Sequence, residues 1–224
     1  PQVDKSFDRI SLIGGVENGQ SINRVWGLTS KDIFGVGYAG MVAHYDGFTW
    51  TKLESGTTLD INDIWGATDP STGEEQILGI ASRLDVNEGN RLLQITRTTV
   101  TALADSGLPW SLNGIWFVPQ EKYYIVGDGI YDADSATPSV WSGGANQVTT
   151  YYTTRIRANA LNDILVVGAF GEVLHYNGAS WKSYRSSQTA LDGSYAGVAI
   201  KGNLAIAVGS SSSQAIIAMG KRNN

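Results

Sequence analysis

Along most of the chain, apolar and polar residues alternate with a period of two. The runs are short and are broken by Gly, Asn, Asp and Ser. That is the pattern of half-buried β-strands joined by tight turns. The first clear set of runs falls at 22–28, 32–37, 40–45 and 49–54. Val, Ile, Tyr, Trp and Thr fill them, as a pleated, half-buried surface favours. Between the third and fourth runs stands Tyr45-Asp46-Gly47. An Asp-Gly pair tolerates positive φ, so this reads as a hairpin turn.

The set recurs. Asp32-Ile33-Phe34-Gly35-Val36-Gly37 matches Asp163-Ile164-Leu165-Val166-Val167-Gly168 at an offset of 131 residues. Gly40, His44-Tyr45-Asp46-Gly47 and Trp50 match Gly171, His175-Tyr176-Asn177-Gly178 and Trp181 at the same offset of 131. An offset this long must contain several units. A hydrophobic-Gly pair at the end of each second strand supplies the count. It stands at Val36-Gly37, Leu78-Gly79, Val126-Gly127, Val167-Gly168 and Val208-Gly209, at intervals of 42, 48, 41 and 41. A second marker agrees: Ile22-Asn23-Arg24-Val25-Trp26, Ile61-Asn62-Asp63-Ile64-Trp65 and Leu112-Asn113-Gly114-Ile115-Trp116. Thr153-Thr154-Arg155-Ile156 and Tyr195-Ala196-Gly197-Val198 are weaker forms.

Repeats of about 40–50 residues built from four short strands are propeller blades. The chain therefore reads as one all-β domain over 1–224, a five-bladed β-propeller with four antiparallel strands per blade. The blades fall near 22–54, 61–106, 112–152, 153–186 and 195–219. The last lacks its fourth strand, and an extra strand at 7–13 precedes the first blade. The expectation is that this N-terminal strand completes the last blade. A piece of a larger propeller is the alternative, which the matched ends disfavour.

Composition narrows the function. The 224 residues include no Cys, which excludes disulfides, thiolate metal sites and a cysteine nucleophile. Gly numbers 27, and charged residues make up 17%, below the roughly 25% of an average domain. A net charge of −5 and the lack of a basic stripe argue against nucleic acid. No run of 18 apolar residues exists, so no transmembrane helix and no membrane insertion are expected. Pro1-Gln2-Val3-Asp4 has no basic region and no apolar stretch follows it, so it does not read as a signal peptide. The Lys-poor surface, rich in Ser, Thr, Gly and Asn, leans toward a secreted or cell-surface bacterial protein.

The pattern apolar-Trp-Gly, Asp-apolar-x-x-Val-Gly-x-x-Gly, His-Tyr-Asp-Gly-x-x-Trp resembles a repeat of bacterial secreted β-propeller proteins. Asp46-Gly47-Phe48-Thr49-Trp50 also looks like a shortened Asp-box of sialidase-like propellers, and Asn177-Gly178-Ala179-Ser180-Trp181 like a weaker copy. The full motif covers two of the five repeats. The resemblance implies fold and secretion. It implies no catalytic site, and the sialidase arginine triad and Tyr–Glu pair have no counterpart here.

Candidate chemistry is sparse. His44 and His175 hold one repeat position, which suits a structural role better than a catalytic base. Glycoside hydrolysis needs two carboxylates about 5–10 Å apart. By fold analogy these would lie on inner strands, at Arg24, Asp63, Gly114, Arg155 and Gly197, of which only Asp63 is acidic. Arg24, Asp63 and Arg155 are expected at the mouth of the central channel. There they either hold an anionic ligand through forked hydrogen bonds or plug the channel as ion pairs. Trp110, Tyr38, Tyr131, Phe170 and Tyr195 fall in or near loops of one expected face, where an exposed ring stacks on a sugar. Trp110 and Trp141 stand outside the repeat, whereas Trp26, Trp65, Trp116, Trp50 and Trp181 read as packing between blades. The longer loops 82–90 and 128–138 lie on adjacent blades. The acids of the second, Asp128, Asp132 and Asp134, are weak calcium candidates without any dedicated spacing. No other cofactor is expected. These readings converge on a non-enzymatic binding or scaffolding propeller that recognises a glycan or a protein through its loop face. A glycan-active enzyme with a channel site is the alternative.

Overall fold

A computed structural model describes residues 20–83, 89–103, 107–108, 111–135, 141–144, 147–187, 192–212 and 214–221. It contains five small antiparallel sheets arranged as the blades of a propeller. Blade 1 comprises β1 (Ser21–Thr29), β2 (Asp32–Tyr38), β3 (Val42–Tyr45) and β4 (Trp50–Leu53). Blade 2 comprises β5 (Ile61–Thr68), β6 (Glu75–Ala81), β7 (Arg91–Ile95) and β8 (Val100–Ala102). Blade 3 comprises β9 (Leu112–Val118), β10 (Lys122–Gly127), β11 (Gly129–Ala133) and β12 (Ser142–Gly144). Blade 4 comprises β13 (Thr153–Ala160), β14 (Asp163–Gly168), β15 (Val173–Tyr176) and β16 (Trp181–Ser183). Blade 5 has β17 (Ser194–Lys201), β18 (Leu204–Ser211) and β19 (Gln214–Lys221) among the described residues. The N-terminal strand expected at 7–13 lies outside them. No described helix is long and apolar enough to cross a membrane.

The first strand of each blade is innermost, and those of blades 1 to 4 each pack against the first strand of the next blade. All five carry the same irregularity. Pairing skips one residue on the inner strand, at Asn23, Asn62, Asn113, Thr154 and Ala196. A bulge of this kind frees the skipped residue from the ladder and turns its side chain to a new use. Asn62 Nδ2 donates to Leu112 O at 2.8 Å, Asn113 Nδ2 to Thr153 O at 2.9 Å, and Thr154 Oγ1 to Tyr195 O at 2.5 Å. The skipped residue of blades 2, 3 and 4 thus stitches its blade to the first inner residues of the next.

The marker glycine has a steric cause. A Cβ on Gly37 would lie 1.8 Å from Ser21 O, and on Gly127 1.5 Å from Ser111 O. Gly168 and Gly209 meet the backbone of Tyr152 and Ser194 in the same way. Blade 2 departs from the count made on the sequence. Gly79 pairs with Ile64 as Gly35 pairs with Val25, while Ala81 pairs with Ile61 as Gly37 pairs with Ile22. The residue equivalent to the marker glycine is therefore Ala81, and Leu78-Gly79 is a similar pair two residues earlier.

Between blades the core is apolar and layered. Trp26 of blade 1 lies over Gly66 of blade 2, where a Cβ would meet its ring at 2.5 Å. Trp116 packs with Ile156, Val166 and Leu174 of blade 4. Trp141 is buried in the cluster that also holds Phe117, Tyr123 and Ala133. It precedes β12, one step beyond the pair of Asp132 with Ser142. Trp50 and Trp181 occupy this same place, opposite Tyr45 and Tyr176. Trp141 therefore belongs to the repeat, and a longer hairpin connection hides it in the sequence. Blade 5 packs on blade 4 through Tyr195, Ala207, Val198 and Ala218. Val208, Ile217 and Met219 on its other face are exposed, as is Val25 of blade 1.

Candidate functional site

The strand directions put the second-to-third-strand turns and the blade-to-blade loops on one face, called the loop face here. The first-to-second and third-to-fourth-strand hairpin turns lie on the opposite face. On that opposite face His44 Nε2 lies 2.7 Å from Asp32 Oδ1, and His175 Nε2 lies 2.8 Å from Asp163 Oδ1. Both histidines thus tie the third strand of a blade to its second. Asp32 also receives Arg97 from the outer hairpin of blade 2, at 2.6 Å, and Arg97 reaches Glu75 at 2.6 Å. These bonds to Asp32 and Glu75 hold the Arg97 pKa above its ordinary value. The hairpin turns are closed by side chains: Asp46 Oδ1 accepts from the amides of Phe48 and Thr49, each at 2.8 Å. Asn177 Oδ1 does the same for Ala179 and Ser180, each at 2.9 Å.

Along the channel, Asp63 is fully buried. Its partner is Arg157, two residues beyond Arg155. Arg157 Nη1 and Nη2 donate to the two carboxylate oxygens at 2.8 Å each. Ile115 N also donates to Asp63, at 3.1 Å. The Arg157 guanidinium lies 5.2 Å from the centroid of the Trp65 ring. Burial works against the Arg157 charge, but the Asp63 carboxylate outweighs it and holds the pKa above its ordinary value. Arg155 turns to backbone instead, donating to Asn113 O and Thr154 O at 2.6 Å each. Arg24 Nη1 donates to Asn23 O at 2.6 Å, and its Nε is buried without a hydrogen bond. The sequence expects these three residues as one group. The structure instead gives Asp63 to Arg157 and turns Arg24 and Arg155 to carbonyls.

On the loop face, Tyr38 and Phe170 are exposed. Tyr131 is half-buried, and its hydroxyl donates to Asp128 O at 3.0 Å. Tyr195 is only 2% exposed and belongs to the core between blades 4 and 5. Burial pushes its phenol pKa up. Trp110 lies outside the described residues. Residues 129–133 of the expected loop 128–138 form β11 instead, and toward the opposite face Asp132 and Asp134 both pair with Lys122, the latter at 2.8 Å. Burial opposes the Lys122 charge, and the two carboxylates raise its pKa regardless. Among the described residues no three acidic or histidine side chains gather in a metal-holding group.

One cluster stands out on this face. Phe170 is 53% exposed, with a φ of 55°. Its ring lies 5.6 Å from that of Tyr151, and the Arg185 guanidinium sits 4.5 Å over Tyr151. Arg185 Nε donates to Phe170 O at 2.8 Å. Below them lies Glu172, 2% exposed. Thr149 Oγ1 donates to one of its oxygens at 2.7 Å and Ser183 Oγ to the other at 2.5 Å. Each hydroxyl also accepts from the amide two residues on, Tyr151 N at 3.1 Å and Arg185 N at 3.2 Å. One buried carboxylate therefore sets the backbone positions of both members of the cation–π pair.

The sequence signals Phe170 as a loop aromatic but not Tyr151, Glu172 or Arg185. The signal for Glu172 lies in the repeat. At the offset of 131, Phe170-Gly171-Glu172 answers to Ala39-Gly40-Met41, and Met41 is buried.

No protein-family model matches the chain, and no curated protein matches it. Solved structures do. One is YCF48 bound to a D1 peptide, with a TM-score of 0.65 at 10% identity, covering 95% of this chain and 67% of that one. Another is YCF48 from Cyanidioschyzon merolae, with a TM-score of 0.62 at 12% identity, covering 89% of this chain and 67% of that one. At such identities the likeness is one of fold.

Proposed function

We propose that this chain is a non-enzymatic binding propeller that recognises a protein partner through its loop face. The observation that carries this reading is the exposed cluster of Phe170, Tyr151 and Arg185. Aromatic rings and arginine, held rigid before binding, are what concentrate binding energy at protein interfaces. The fold neighbour that holds a peptide supports the same partner class. The enzymatic alternative needs a free carboxylate at the channel. The one acidic inner-strand candidate, Asp63, is fully buried with both oxygens taken by Arg157. A glycan remains the second partner class, because a displayed ring also stacks on sugar. The low-Lys surface favours a secreted or cell-surface setting in a bacterium.

Parallel peptide and glycan arrays with the purified chain test this. Binding to a set of peptides with silence on the glycans is the expected result. Specific capture of one glycan class would replace the protein partner by a sugar, and turnover of an arrayed glycan would overturn the non-enzymatic reading.

A further inference from the structure

Two local costs meet in one turn of blade 4. Phe170 takes a left-handed backbone conformation that a bulky side chain avoids. Glu172 is a carboxylate taken out of water, and hydroxyls rather than a cation are its described side-chain partners. The left-handed turn recurs in blade 1, but neither a bulky ring on it nor a buried acid two residues on is required there. In blade 1 the same turn has Ala39 with a φ of 50° and the buried Met41. The paired departures have one joint effect. They display a ring and fix Tyr151 and Arg185 beside it.

Arg185 has its Nε committed to Phe170 O. The two terminal nitrogens of a guanidinium carry the in-plane donors that match a carboxylate. Stacking on Tyr151 holds the plane of the group in place. The site thus offers an apolar ring surface next to an oriented cation, on a chain whose net charge is −5.

Resting on the protein-binding reading, we propose that this cluster is a preorganised subsite for a peptide segment carrying a carboxylate beside an aromatic side chain, with Glu172 as its positioning residue. Phe170 takes the aromatic side chain. Arg185 takes the carboxylate. Glu172 touches neither and acts by fixing Thr149 and Ser183.

The test uses short fluorescein-labelled peptides on a Gly-Ser background with a central Phe-Glu, Phe-Gln, Ala-Glu or Ala-Gln pair, titrated by anisotropy. The wild-type chain should prefer Phe-Glu over Phe-Gln by about tenfold, the scale of one charge-assisted contact. Arg185→Gln should bring that ratio to one, and Phe170→Ala should remove the preference for Phe over Ala. Glu172→Met adopts the residue blade 1 already uses, so its melting temperature should stay near wild type while the acid preference falls. Glu172→Gln keeps one carbonyl acceptor and should lie between. A Glu172→Met chain that binds and discriminates like wild type overturns the positioning role. An acid preference that survives Arg185→Gln overturns the subsite. If none of these peptides binds while the arrays still yield peptide ligands, the subsite fails and the protein-binding reading stands.

Discussion

Arg157 and Asp63 join blade 4 to blade 2 across the backbone of blade 3, through two contacts of 2.8 Å. The pair spans 94 residues of the chain. Removing one partner leaves the other charge stranded in a low-dielectric channel. Arg157→Ala or Asp63→Ala should therefore destabilise the chain by about 3 kcal/mol. The double change Asp63→Leu with Arg157→Met should cost far less, since an apolar plug leaves no stranded charge. Urea denaturation of the two single variants and the double variant checks this, and equal losses in all three would contradict it.

The left-handed turns offer a stability test that separates strain from function. Phe170→Gly should stabilise the chain by about 1 kcal/mol, because glycine adopts that φ without penalty. Ala39→Gly should give a gain of the same sign. Only Phe170→Gly should weaken peptide binding. Thermal melts paired with the anisotropy titration read both effects.

The marker glycines should resist substitution in proportion to the approach they allow. Gly127→Ala drives a Cβ to 1.5 Å from Ser111 O and should cost about 3 kcal/mol, the upper range for overpacking. At the equivalent place in blade 2 nature already has Ala81, so the reverse change, Ala81→Gly, should cost about 1 kcal/mol at most. Chemical denaturation midpoints distinguish the two.

Acid should loosen two of the hairpin turns. The amides of Thr49 and Phe48 hold the Asp46 carboxyl below its ordinary value of 3.8. Hydroxyl and amide bonds of Ser71 do the same for Asp69. A carboxyl with a depressed folded pKa contributes stability above its unfolded pKa, and the contribution is lost as pH falls through the folded pKa. These turns should therefore hold at neutral pH and fail below about pH 4. Asp46→Asn installs the acceptor that Asn177 already provides in blade 4. It should leave stability at pH 7 nearly unchanged and make the acid limb shallower. Melting temperature against pH checks both.

Much of the fold is legible in the sequence because a propeller repeats its constraints. The skipped Asn of the inner strand, the glycine facing a carbonyl and the Asp–His pair each recur, so each appears as a pattern. What escapes is what does not recur. Arg157 stands at the place of Trp26 by the same offset of 131, and Glu172 at the place of Met41. On the sequence these look like weak copies of the repeat, whereas they carry the channel pair and the loop-face cluster. Ala81 escapes for a different reason. A nearby Leu78-Gly79 imitates the marker, and only strand pairing tells the two apart.

The bonds made by the skipped inner-strand residues run one way. Asn62 and Asn113 each reach forward to a carbonyl that belongs to the following blade. On a ribosome, blades leave the tunnel in chain order. Each finished sheet therefore lacks this forward bond until its successor emerges, and the newest blade is always the least secured. Growth of the propeller is in this sense ratcheted: every arriving blade locks the one before it.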